Sequence, residues 1–233
     1  MSDPQKTLEV SFVSKEGERR EAVQIRNLVI GGWTSRDEEA MREHIRELEK
    51  IGVAAPPKTP MFYRAGVSRL TAESDIQAAG DGSGGEVEFA LLSLESGLWV
   101  GAASDHTDRK AESLGITIAK QMCDKPVAPT FWPWSEVAPH WDELELEAHV
   151  VEGGERKLYQ RGTVAAMLHP NDLINLYCGP GGPLAEGTLI LGGTLPAIGG
   201  VRATERFEFE LRDPRLGRSI SHGYTMHPLP ILG

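Results

Sequence analysis

The chain has 233 residues, of which 40% are hydrophobic and 25% charged, and its formal net charge is −10. That length allows one large domain or two small ones around a real core, and the acidic balance argues against nucleic acid or an anionic membrane as the main partner. Cys123 and Cys178 form no CxxC pair, MSDPQKTLEV has no basic-then-apolar leader pattern, and no apolar run nears the roughly 20 residues of a membrane span, so a cytoplasmic location is expected.

Residues 7–13 (TLEVSFV) alternate and predict a strand; 22–31 (AVQIRNLVIG) predict a second, with a hairpin turn over Gly17 to Glu21. TSRDEEAMREHIRELEKIG then reads as a helix. Ser35 and Glu38 fit a capping box, Met41, Ile45, Leu48 and Ile51 mark an apolar face, and Gly52 supplies the stop. VAAPPKTP (53–60) is extended and proline-rich. It separates a small N-terminal part, residues 1–55, from a main body, 56–233, the two joining in one continuous fold. Beyond it, strands are predicted near 62–65, 86–93, 98–103, 144–151, 157–159, 188–193 and 205–211, with short helices after Asp105 and over about 170–177, where Pro170 suits a first turn. Many short strands between Gly and Pro turns define a β-rich α+β fold.

One strand raises a question. Glu86 and Glu88 sit one residue apart at the head of an apolar run, EVEFALLSL. Residues i and i+2 of a strand share a face, so the two carboxylates point the same way while Val87 and Phe89 point the other. On a wet surface, water screens such a pair. Here the apolar neighbours argue against a free edge, and a hairpin through LWVGAA would return Asp105 beside the pair. Three carboxylates without a thiolate form a hard oxygen site, suited to Mg²⁺, with Mn²⁺ or Ca²⁺ as the alternatives. On the first helix, His44 and Glu47 stand three apart and share a face. They read either as a half-buried histidine with a solvated acid, or as a general base with a partner that orients it or a water.

These pieces occur in an order. His44-x-x-Glu47 is followed by P-x-x-P-x-F-Y at 57–63, Glu86-x-Glu88, Asp105-x-x-x-Arg109, Ala119-Lys120, Tyr159-Gln160-x-Gly162 and Gly193-Thr194. The ordered set resembles the fumarylacetoacetate hydrolase (FAH) superfamily over about residues 28–212, and is most similar to a bacterial branch of it. The resemblance implies a mixed β-roll that binds one divalent cation through Glu86, Glu88 and Asp105. It further implies a lid helix whose His44 and Glu47 activate water, a Lys120 that stabilises developing negative charge, and substrate contacts from Arg109, Gln160 and Thr194. The implied substrate is a small oxo acid and the implied assembly a homodimer. The implied reaction is hydrolysis of a C–C bond in an acylpyruvate-like or diketo acid. Decarboxylation or tautomerisation of a 2-oxo acid on the same site, or non-catalytic binding of an oxo acid, are the alternatives.

The chain departs from that pattern in three places. SDHTDRKAE carries His106 and Asp108 where small or apolar residues are usual, and Asp108 reads as a helix cap in preference to a further acid at the metal. GGTLPAIGG replaces the usual GTP, which alters the carboxylate-binding loop. FWPWSEVAPHWDEL holds three of the five tryptophans, read as core or subunit interface in preference to a pocket wall. Cys123 reads as a small buried hydrophobe, GDGSGG (80–85) as a flexible turn, and the remaining histidines as structural.

Overall fold

The structure is a computed structural model, and it describes residues 4–39, 41–42, 45–46 and 55–232. Among the described residues, seventeen strands run in chain order. The first eight are β1 (Lys6–Ser14), β2 (Gly17–Ile25), β3 (Asn27–Gly32), β4 (Met61–Ala65), β5 (Leu70–Thr71), β6 (Asp75–Ala79), β7 (Ser83–Gly84) and β8 (Val87–Leu94). The rest are β9 (Gly97–Ser104), β10 (Thr107–Asp108), β11 (Lys125–Pro126), β12 (Thr130–Pro133), β13 (Glu145–Glu152), β14 (Glu155–Thr163), β15 (Thr188–Thr194), β16 (Arg206–Asp213) and β17 (Arg218–Leu229).

Two sheets dominate. The larger has the order β2-β1-β12-β9-β8-β15-β3-β4, and the smaller β14-β13-β16-β17-β6. Both are mixed: in the larger, β15 runs parallel to β3 and β1 to β12 while the β8–β9 hairpin is antiparallel, and in the smaller, β17 runs parallel to β6 and antiparallel to β16. Strands from either side of the proline-rich segment lie in the same sheet, since β3 pairs with β4.

The larger sheet is buried on both faces, which explains its continuous apolar runs. One face meets the smaller sheet. There Val87, Phe89 and Leu91 of β8 pack with Leu146 and Val150 of β13, Phe207 and Phe209 of β16, and Tyr224 of β17. The other face closes on itself: Leu8, Phe12, Ile25, Ile30, Tyr63, Ala90, Leu92 and Leu191 form a second core drawn almost wholly from the one sheet. The sheet is therefore curled into a roll, and Ala90 and Leu92 point inside it. By the two-residue period, Glu88 continues that inner face towards the head of the strand.

The tryptophan block backs this arrangement. Trp132 and Trp141 are buried in the inter-sheet core, with Trp134 packed against it. Trp141 meets Phe89 edge-on at 5.0 Å and Trp134 at 5.2 Å. The block thus supports the reverse face of the strand that carries the acids.

Some local readings need correction. The first hairpin turns at Lys15-Glu16, so Gly17 to Glu21 are strand, paired with Val10 to Ser14. The first helix is capped two residues later than the sequence suggests. Ser35 is held in a bridge to Met167 and its hydroxyl accepts from the Asp37 N–H, while Asp37 Oδ1 accepts from the Glu39 N–H at 3.0 Å. Within GDGSGG the turn is confined to Gly80-Asp81, whereas Gly82 to Gly85 are buried and β7 pairs with β10. A Cβ on Gly84 would lie 2.1 Å from the carbonyl oxygen of Arg202, so the 195–204 loop crosses at a distance only glycine permits.

Candidate active site

Four strand ends meet at one end of the roll. They are the head of β8 with Glu86 and Glu88, the tail of β9 leading to Asp105, the tail of β15 with Gly193 and Thr194, and the β3–β4 pair with Gly32 and Tyr63. Glu88 pairs with Ala103 on one side and Thr194 on the other, and the Asp105 N–H donates to the Glu86 carbonyl at 3.0 Å. The hairpin therefore returns Asp105 to the acidic pair, as its sequence spacing predicts. The helix Ile116–Met122 crosses this end and delivers Lys120.

Glu88 is only 3% exposed. Its Oε2 accepts from the Gly193 N–H at 2.8 Å. Burial first, then the nearby Asp105 carboxylate, raise its pKa well above the usual range; Lys120 and the Gly193 N–H offset this only in part. The chain has thus buried a carboxylate without enough counter-charge. The Gly193 donor depends on tight geometry: its φ is 108°, and a Cβ there would lie 1.8 Å from Thr34 Oγ1. Thr34 in turn donates to the Gly192 carbonyl at 2.9 Å, so the start of the first helix is tied to the Glu88 loop.

Asp105 is 1% exposed and is gripped by two lysines. Lys120 bonds Oδ2, and Lys125 lies 3.1 Å from Oδ1. Burial alone would raise the Asp105 carboxyl, but Lys120 and Lys125 together outweigh it and hold it well below the usual range. Lys120 pays for its burial with Asp105 and Glu86 nearby, and its pKa rises. Lys125 moves the other way: burial is its largest influence and leaves its pKa lowered even beside Asp105.

Glu86 pairs with Arg109 at 3.1 Å, and Arg109 also reaches Glu112 at 3.3 Å and the Gly84 carbonyl at 3.1 Å. Burial opposes the Arg109 charge, but Glu86 and Glu112 outweigh it and raise its pKa. Its Nε is buried without a hydrogen-bond partner. Beyond Lys120, the Tyr63 ring lies 5.7 Å from Nζ, and Tyr63 Oη accepts from Trp33 Nε1 at 3.4 Å.

Gln160 and Thr194 lie at this end but face inward. Gln160 Oε1 accepts from the Val87 N–H at 2.9 Å, and its amide donates to Thr194 Oγ1 at 2.8 Å and the Leu195 carbonyl at 2.6 Å. Thr194 donates to the Val87 carbonyl at 2.8 Å. As placed, the two clamp the residue between Glu86 and Glu88 and fix the direction of both acids. Asp108 is a cap, as its sequence position suggests: Oδ1 accepts from the Lys110 and Ala111 N–H groups, each at 2.8 Å. His44 and Glu47 lie outside the described residues.

Lys125 is the residue the sequence reading missed. A lysine beside a proline in DKPV looks like a surface charge; only the fold reveals that β11 runs beneath Asp105.

The donor set fits a hard divalent cation in kind and in charge. Four acids gather here (Glu86, Glu88, Asp105 and Glu112) against three cations (Lys120, Lys125 and Arg109), and the one short of a partner is Glu88. Oxygen ligands of this type suit Mg²⁺, Mn²⁺ or Ca²⁺. In placement the set is open: Glu86 leans to Arg109 and Asp105 to its lysines, and among the described residues no three Asp, Glu, His or Cys side chains are already closed around one point.

The β-roll is the fold of the FAH family, seen in solved structures that match at low identity. A proposed fumarylpyruvate hydrolase from Burkholderia cenocepacia aligns with a TM-score of 0.66 and 17% identity, over 99% of this chain and 94% of that one. A fumarylacetoacetate hydrolase family protein from yeast, ynq8, aligns with 0.62 and 19%, over 88% and 94%. A 2-keto-3-deoxy-D-arabinonate dehydratase, complexed with magnesium and 2,5-dioxopentanoate, aligns with 0.59 and 14%, over 91% and 78%. By its sequence the chain belongs to the DUF2848 family, described as a protein of unknown function, whose model matches residues 31–224. No curated protein matches it in sequence.

Proposed function

We propose that this protein is a divalent-metal-dependent hydrolase that cleaves a C–C bond in a small acylpyruvate-like or diketo acid. The observation that carries the reading is the buried Glu88 carboxylate, held short of counter-charge between Asp105 and Glu86 and beside Lys120. A carboxylate buried against its solvation cost beside charged partners is the kind of group that marks a ligand or functional site. Glu86, Glu88 and Asp105 would hold Mg²⁺ or Mn²⁺, which when bound supplies Lewis-acid polarisation of an oxo acid's oxygens.

The chain's own residues divide the remaining work. Lys120 reaches the centre from the helix Ile116–Met122, and as an ammonium it stabilises the oxyanion that develops when the C–C bond breaks. Arg109, the partner of Glu86, orients the substrate carboxylate. Tyr63 forms the wall behind Lys120. His44, with Glu47, takes the proton of the attacking water and returns it to the enolate carbon of the leaving oxo acid. In support, the described helical residues begin at Glu38, three residues after a bridge that ties the chain to this end of the roll. A homodimer belongs to this reading; light scattering at the 25.4 kDa monomer mass would remove it.

The dehydratase neighbour gives a reason to keep a second reaction in view. That protein is a dehydratase, complexed with magnesium and 2,5-dioxopentanoate, so a related fold also hosts chemistry other than hydrolysis. Decarboxylation or tautomerisation of a 2-oxo acid would use the same enolate stabilisation by Lys120.

The test is a substrate panel with purified protein, Mg²⁺ and an EDTA control. Loss of diketo absorbance is followed for several acylpyruvates, and pyruvate formation from oxaloacetate. The hydrolase reading expects Mg²⁺-dependent cleavage of an acylpyruvate, with kcat reduced on the order of 10²-fold or more in Lys120→Met and in His44→Ala. Turnover of oxaloacetate alone would transfer the assignment to a decarboxylase. Full activity in His44→Ala would remove the water-activating dyad.

A further inference from the structure

A buried hydroxyl–imidazole chain lies directly behind Asp105. The His106 ring is fully buried. Its Nδ1 is 2.8 Å from Tyr224 Oη and its Nε2 is 2.8 Å from Ser83 Oγ. Tyr224 Oη is itself 2.9 Å from Ser104 Oγ, and the two rings meet edge-on at 5.4 Å. Both ring nitrogens are therefore engaged by hydroxyls. His106 cannot ligate a metal from this position, although it adjoins the acids.

Its backbone does something else. The His106 carbonyl accepts from Lys125 Nζ, the same ammonium that lies 3.1 Å from Asp105 Oδ1. One fixed carbonyl and one carboxylate oxygen thus grip a single buried cation. The Thr107 hydroxyl donates its one proton to the Asp105 carbonyl at 3.0 Å, with Oδ1 as a more distant acceptor at 3.3 Å. Oδ1 is thereby engaged from behind by Lys125. Oδ2, which faces Lys120, is the oxygen left to exchange partners. The anchors come from four separate stretches of chain: Ser83 on β7, Ser104 at the end of β9, Lys125 on β11 and Tyr224 on β17.

We propose that His106 is the positioning residue of the acidic centre: its ring, bolted between Ser83 and Tyr224, fixes the Asp105–His106 segment so that Lys125 is bound from behind and Asp105 Oδ2 is presented to the cation site. This inference rests on the metal reading above. Lys125 then serves as the permanent counter-charge of Asp105, and Lys120 as the exchangeable one. A carboxylate held in one rotamer by its rear oxygen loses no conformational freedom when a cation binds, which is what preorganisation supplies.

The experiment is titration of the full-length protein with Mn²⁺ by calorimetry, beside a thermal melt in EDTA. His106→Phe keeps an aromatic ring, somewhat larger, and removes both ring bonds; Tyr224→Phe removes a single hydroxyl. The expected result is Mn²⁺ affinity at least tenfold weaker in His106→Phe and a few-fold weaker in Tyr224→Phe. A purely structural histidine gives a different pattern: the melting temperature falls while Mn²⁺ affinity stays within twofold of wild type, and that overturns the proposal. Should His106→Phe fail to fold, unchanged affinity in Tyr224→Phe overturns it equally. Wild-type protein that binds no Mn²⁺ removes the metal reading and this inference with it, whereas wild-type binding with unchanged variants removes the inference alone.

Discussion

Glu88 shows what the site costs the fold. A buried carboxylate with one backbone donor and two acidic neighbours destabilises the ligand-free chain, and the amide of glutamine can accept the same Gly193 N–H without the charge. Glu88→Gln is therefore expected to stabilise the metal-free protein by about 1–2 kcal/mol, or roughly 2–4 °C per kcal/mol in Tm for a chain of this size. The same variant should lose the rise in Tm that Mg²⁺ gives the wild type. Melting curves in EDTA and in Mg²⁺ check both halves. A Tm in EDTA several degrees below wild type would mean that the Glu88 charge is structural. At this scale the sequence was readable in part. Glu86, Glu88, Asp105 and Lys120 stand out because strand period and motif order bring them together. Lys125 and the inward turn of Gln160 do not, because both depend on which distant backbone a side chain meets.

At the scale of the element, β8 has two faces with two duties. Glu86 and Glu88 occupy the head of the inner face, while Phe89 on the reverse face rests edge-on against Trp141. Trp141 is 2% exposed, so truncation leaves a large cavity behind the acid-bearing strand. Trp141→Ala should cost about 3–5 kcal/mol in urea unfolding, with Mg²⁺ dependence of the midpoint weakened as β8 loses its support. A cost below about 1 kcal/mol would show that the block is not part of this core. The long alternating or apolar strands were legible from sequence, since burial on one or two faces leaves a period to read. β17 was not, because Gly223 and Pro228 interrupt RSISHGYTMHPL and His222 stands where an apolar residue would keep the period. Its membership of the sheet comes instead from pairing with β16 along eight residues, and from Tyr224 packing against Phe207. Arg26 likewise hid a strand break: AVQIRNLVIG reads as one strand, yet Arg26 and Asn27 both donate to the Gly187 carbonyl and the chain changes partner there.

For the whole molecule, the buried polar centre sets a pH dependence. Burial, followed by the charges of Lys125 and Arg109, pushes the His106 imidazole down to about 3. In the unfolded chain it returns to about 6.5. Below pH 6.5 the unfolded state therefore takes up a proton that the folded state refuses. Stability is fully present above pH 6.5 and falls as the pH drops towards 3, with a slope of at most about 1.4 kcal/mol per pH unit from this one group. Urea midpoints between pH 7 and 4.5 should decline accordingly when measured in a Glu88→Gln background, which removes the opposing slope of the raised Glu88 carboxyl. The decline should flatten when His106→Phe is added; an identical slope with and without it would contradict the assignment. The roll itself was legible as a class from strand count and motif order. The curl of the larger sheet was not, because it is visible only in the pairing of β1 with β12 and β15 with β3, contacts between segments more than 100 residues apart.

The central claim is that Glu86, Glu88 and Asp105 form a cation site. Anomalous diffraction from crystals soaked in Mn²⁺ tests it most directly. The account predicts a single strong peak at the head of β8, within coordination distance of carboxylate oxygens from all three residues and absent in Glu88→Gln. No peak at that position in well-diffracting soaked crystals, with Lys120 still bonded to Asp105, would contradict it.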